Sequence, residues 1–68
     1  MPINLRIVLE DIQQIQITIG RQKDLIKHLM HDCPECVTQF ILATNSLDSA
    51  IEYLIAAERK VNSIITKL

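Results

Sequence analysis

One short segment, Asp32-Cys33-Pro34-Glu35-Cys36, divides the chain into two nearly equal halves and limits what either can become. A helix arriving from the N-terminal side cannot run through Pro34, which lacks an N–H and whose ring clashes with the preceding turn. The first turn of a new helix accepts the same residue without loss, because the N–H there has no intrahelical partner. Pro34 also drives Cys33 out of the α region. Asp32 and Glu35 stand at capping-box spacing, so Asp32 is expected to accept from the first free N–H groups of the new helix and Glu35 to reach back. Two helices joined by so short a connection fold back antiparallel.

The halves carry the matching pattern. From residue 4 to 31, Leu5, Val8, Ile12, Ile15, Ile19, Gln22, Ile26 and Leu29 alternate spacings of three and four, with Cys33 next in line. From residue 34 to 67, Val37, Phe40, Thr44, Leu47, Ile51, Leu54, Glu58, Val61 and Ile65 do the same, and Leu68 continues the series. Each is a heptad seam with isolated polar breaks. The expected fold is therefore all-α: an antiparallel, coiled-coil-like two-helix hairpin in one domain, residues 1–68, with helices at 4–31 and 34–67 and a turn at 32–36.

Two stretches compete with this reading. Ile15-Gln16-Ile17-Thr18-Ile19-Gly20 alternates with period two and is rich in β-branched residues, as a strand would be. The heptad runs through it on both sides and no second strand is present to pair with it, so helix is expected, with Gly20 a weak point worth about 1 kcal/mol relative to Ala. Ala43 to Ser49 is the poorest helical stretch, and Asn45 or Ser46 could cap a fresh start, giving a kink or a third short helix.

More apolar surface is present than two helices can hide. Beside the second seam runs a row of mostly small residues, Cys36, Ala43, Ala50, Ala57 and Ile64, which lets another helix approach closely. Ile41, Leu42, Ile55 and Ala56 widen the apolar arc on the other flank, and Ile3, Ile7 and Ile17 lie off the first seam. A chain of 68 residues builds a marginal core unaided. Completion as a homo-oligomer, such as a four-helix bundle, or by docking on a protein partner is expected. Ile3, Ile7, Ile17, Ile41, Tyr53 and Ile55 are the candidate partner contacts; Tyr53 combines area with a hydroxyl.

Other functions are disfavoured by what is missing. Net charge is −1 with no basic stripe, against nucleic-acid binding. No apolar run approaches the roughly 20 residues of a membrane span. Met1-Pro2-Ile3-Asn4-Leu5-Arg6 lacks the charged-then-apolar layout of a signal peptide, so a cytoplasmic location with reduced cysteines is expected. No Ser-His-Asp set, Gly-rich phosphate loop or paired carboxylates point to an enzyme, and no cofactor is expected.

One cluster could carry chemistry. His28, His31, Cys33 and Cys36 are all zinc-ligand types within nine residues. Only Asp32 separates the two pairs, which hardly lets the chain wrap four ligands around one tetrahedral centre. The bland alternative is exposed histidines at a helix end and two cysteines packing the turn. Cys33-x-x-Cys36 at a helix N-terminus also has redox-dithiol form, without the βαβ context that usually accompanies it.

The plan of the chain resembles the small YscE-like co-chaperones of type III secretion needles in length and in its two antiparallel helices with a short polar turn. Asn45-Ser46-Leu47-Asp48-Ser49-Ala50-Ile51-Glu52-Tyr53-Leu54 is similar to that family's second helix. The resemblance implies binding to a TPR-like co-chaperone and a role in holding the needle subunit soluble in the cytoplasm. Cys33, Thr38-Gln39 and Leu47-Asp48 also resemble the start of the second helix in CsoR-type copper-sensing repressors. There the family's remaining soft ligands would fall on Glu58 and Asn62, which suit copper(I) poorly. The function expected is thus a non-enzymatic helical interaction protein, as a type III secretion chaperone subunit. The alternative is a small metal- or redox-responsive regulator using His28, His31, Cys33 and Cys36.

Overall fold

The computed structural model describes residues 4–68 and shows the expected all-α hairpin. Helix α1 spans Leu5–Asp32 and helix α2 spans Val37–Lys67, joined by a single 3-10 turn, Pro34–Cys36. The two helices pack along their length in a rod of 52 × 15 × 15 Å. Among the described residues there is no strand, so the alternating stretch around Ile17 is helical; the Thr18 hydroxyl, free to compete with the helix, donates instead to the Gln14 carbonyl oxygen at 3.0 Å.

Asn4 caps α1: its backbone is extended and its Oδ1 accepts from the Arg6 N–H at 3.0 Å, satisfying one donor that the first turn leaves free. At the other end α1 runs through Asp32, one residue further than the spacing predicts. Cys33, with φ −138° and ψ 74°, has left the α region as Pro34 requires, and its N–H still reaches the Leu29 carbonyl oxygen at 3.2 Å. The capping box does not form. Asp32 is spent as the last residue of α1, and Cys33 and Cys36, which occupy the cap positions, make no side-chain cap bond. Neither carries a side-chain oxygen to accept one.

Helix α2 is continuous through Asn45. Thr44 and Ser46 donate their hydroxyls to the carbonyl oxygens of Phe40 and Leu42, four residues back, which keeps them inside the helix rather than starting a new one.

The seam of α2 is the predicted one: Val37, Phe40, Thr44, Leu47, Ile51, Leu54, Glu58, Val61 and Ile65 are all half-buried, while Leu68, at 92% exposure, lies beyond it. The seam of α1 is a correction. Leu5, Ile12, Ile19 and Ile26 face α2 as expected, but the second row is Leu9, Gln16, Lys23 and Met30. Ile15 and Leu29, assigned to the seam from their spacing, stand about half exposed, at 48% and 51%, and Gln22 is exposed too.

The physical reason lies across the seam. Glu58 is half-buried on α2 and needs donors; Gln13 and Gln16 supply them, at 3.1 and 3.3 Å. Lys23 pairs with Asp48. Turning α1 to bring Ile15 and Leu29 inward would carry Gln16 and Lys23 away from these acceptors. No described side chain is fully buried, so the hairpin has a seam but no core.

Candidate functional site

The polar ties across the seam divide the hairpin lengthwise into two unlike sides. On one side lie Arg6, Gln13, Gly20 and Lys27 of α1 beside Ile41, Asp48, Ile55 and Asn62 of α2. Every hydrogen bond or ion pair between the helices among the described residues involves Glu58 or Asp48 and lies in the seam or on this side. Two shallow open depressions also lie here. One is lined by Lys27, Met30, Ile41, Thr44 and Asn45 and the other by Arg6, Leu9, Glu10, Gln13, Asn62 and Ile65. Neither assembles a nucleophile with a base: the Thr44 hydroxyl is committed to the Phe40 carbonyl oxygen.

The opposite side is built from Val8, Ile15, Gln22 and Leu29 of α1 and from the row Cys36, Ala43, Ala50, Ala57 and Ile64 of α2. No residue in either row is charged. Glu58 set between Gln13 and Gln16, and Lys23 on Asp48, fix the register; the same register sets Ile15 level with Ala57 and Leu29 level with Ala43. Ile15, Leu29 and Ile64 are about half exposed, and Leu25 and Tyr53 border this side with larger exposure, 78% for Tyr53. Both helices contribute exposed apolar side chains to this side, with the uncharged Gln22 between Ile15 and Leu29.

The six candidate contacts fare unevenly. Ile3 lies outside the described residues. Ile7, Ile17, Ile41, Tyr53 and Ile55 all retain exposed surface, but they do not form one patch. Ile41 and Ile55 share a row of α2 on the polar side, Ile7 and Ile17 lie on the outer surface of α1, and Tyr53 edges the apolar side. The spacing assigns Ile15, Leu25 and Leu29 to no partner surface, whereas Ile64 belongs to the row expected to let another helix approach. Ile15 and Leu29 were hidden because their spacing fits the seam equally well. The charge-free rows were the signal that could have found them.

The turn brings two of the four metal-ligand candidates together. The Cys36 N–H donates to the Cys33 carbonyl oxygen at 3.0 Å, and this tight turn places the two Cα atoms 5.5 Å apart, with the sulfurs paired as a disulfide. Reduced thiols were expected; the structure shows the pair joined. Glu35 completes a group with Cys33 and Cys36 whose ligand atoms lie within 4.8 Å of one another. His28 and His31 are exposed on the outer surface of α1 and do not belong to it.

Comparison of the chain with family models, with curated proteins and with solved structures found no match. No helix of the described residues is long and apolar enough to cross a membrane.

Proposed function

We propose that this chain is a non-enzymatic interaction subunit that works by helix–helix docking. One observation carries the reading: α1 turns Gln16 and Lys23 toward its own partner helix and leaves Ile15 and Leu29 outside. Leaving two such side chains half in water forfeits about 1 kcal/mol each, which a second layer of helix recovers. In the specific form that the YscE-like resemblance implies, the partner is a TPR-like co-chaperone and the task is to hold a needle subunit soluble in the cytoplasm. The hairpin plan and its exposed apolar length support that form.

The test is thermal unfolding by circular dichroism over a hundredfold range of concentration. A docking subunit shows either a midpoint that rises with concentration or a broad, low-temperature transition that a partner sharpens. A steep transition at high temperature, independent of concentration, would mark a self-sufficient monomer and end the proposal.

A second reading, a metal- or redox-responsive regulator, is favoured by the grouping of Cys33, Glu35 and Cys36. Two-electron reduction of the disulfide by a cellular dithiol, itself oxidised to a disulfide, would release two thiols beside a carboxylate, a donor set that suits zinc. Thiol titration and zinc content of the purified chain decide it: no bound zinc, together with thiols that do not alter assembly, removes the regulator.

A further inference from the structure

We infer that the apolar side of the hairpin is covered by a second copy of this chain, in a symmetric four-helix bundle whose two turns lie at the same end. The inference rests on the docking reading above and names the partner for it.

The surface area calls for a partner of this size. The hairpin exposes 5475 Å² for a mass of 7.8 kDa. A compact chain of that mass exposes about 4,400 Å². The excess, about 1,100 Å² per chain, exceeds the roughly 800 Å² that each partner buries in a standard stable interface. Doubled across two copies, it reaches the lower end of the range found in obligate homodimers, which begins near 2,000 Å².

The chemistry of the side favours self-association. A twofold axis lays a patch against itself, so any charge on it would need an oppositely charged partner elsewhere on the same patch. The rows flanking the seam here carry none. They are also unlike in size over their middle stretch: α1 presents the large Ile15, Gln22 and Leu29, and α2 the small Ala43, Ala50 and Ala57, while at the open end Val8 is level with the large Ile64. The orientation follows from that difference. With the twofold axis parallel to the helices, α1 of one copy lies over α2 of the other, and the register sets Ile15 over Ala57 and Leu29 over Ala43 of the second copy. Large rows then enter grooves floored by small ones. An axis across the helices would instead stack Ile15 and Leu29 on α1 and alanine on alanine, holding the layers apart at one helix and gapped at the other. The first arrangement places both turns at one end; the second places them at opposite ends.

Sedimentation equilibrium of the full chain, with Ile15→Glu and Ala57→Arg variants, tests the partner. Twice the chain mass is expected at micromolar concentration. Each substitution is buried twice by the symmetry and should raise the dimer dissociation constant about 100-fold or more. Ile17→Glu, on the outer surface of α1, should leave the mass unchanged and so shows that a charge as such is harmless. A spin label at Thr38→Cys, in a Cys33→Ser, Cys36→Ser background with unaltered helicity and mass, reads the orientation. One interlabel distance well short of the 52 Å length of the rod is expected. A monomer that unfolds broadly and at low temperature overturns the homodimer while leaving docking to a different protein standing. A monomer with a steep, high transition overturns both. A dimer insensitive to Ile15→Glu and Ala57→Arg, or one with its labels a rod-length apart, overturns the face or the orientation.

Discussion

The two long sides of this hairpin solve the same problem in opposite ways. On the polar side, Glu58 is held by Gln13 and Gln16, and Asp48 by Lys23, so that the helices are tied to each other and the remaining surface faces water. On the apolar side no hydrogen bond or ion pair joins the helices among the described residues, and Ile15, Leu29 and Ile64 are left about half exposed. The difference separates two tasks. Polar ties are weak contributors to stability but exact much in geometry, and they fix register. Apolar surface is the larger energetic resource, and here much of it is withheld from the hairpin itself.

The largest effect should come from breaking the apolar side. Ile15→Glu with Leu29→Glu should cost assembly about 3 kcal/mol or more while the monomer keeps its helices, read by sedimentation and circular dichroism. Retained assembly would mean that this side is not the one used. Next, Gly20→Ala sharpens the contrast from the polar side. A Cβ there meets nothing within 4 Å, so the substitution should stabilise the hairpin by about 1 kcal/mol in urea denaturation without altering assembly. Asn4→Ala removes the cap on Arg6 and should cost about 1 kcal/mol, seen as faster amide exchange confined to the first turn of α1. The smallest effect is expected at the ion pair: Lys23→Met should change stability by less than about 1 kcal/mol and abolish whatever salt dependence the unsubstituted chain shows between low and physiological ionic strength. A loss of several kcal/mol there would make the polar side the principal support and reverse the comparison.

How much of this was legible in the sequence differs between the helices for a physical reason. On α2 the inward series from Val37 to Ile65 stands out because one flanking row is small, alanine at positions 43, 50 and 57, and the other, with Ile41 and Ile55, is broken by Asp48 and Asn62. On α1 two rows compete. Val8, Ile15 and Leu29 fit the heptad as well as Leu9 and Met30 do, and local periodicity cannot choose between them. The choice is made by Glu58 and Asp48, residues 42 and 25 positions away from Gln16 and Lys23. The turn was legible in Pro34 and in its effect on Cys33. The capping box was not, because α1 gained a residue and consumed Asp32. Continuity through Asn45 depended on hydroxyls bonding back along the helix, which composition alone reports only as weakness. The cysteine pairing follows from the tight turn, a shape that the spacing permits without requiring it.

The closed end of the rod also sets an order of events. Contacts near Pro34 close short loops and those near the termini close long ones, so the chain entropy lost per contact grows steadily away from the turn. Lys23–Asp48 latches a segment 25 residues apart and Gln13–Glu58 one 45 residues apart. The hairpin is therefore a zipper with two catches, and opening starts at the free ends, where Leu5 and Ile65 part before Ile26 and Leu47. Amide protection should fall in two steps from turn to termini. A second copy laid alongside with its turn at the same end would set its own weak end beside this one, so the pair would fray together and be held most firmly at the two prolines.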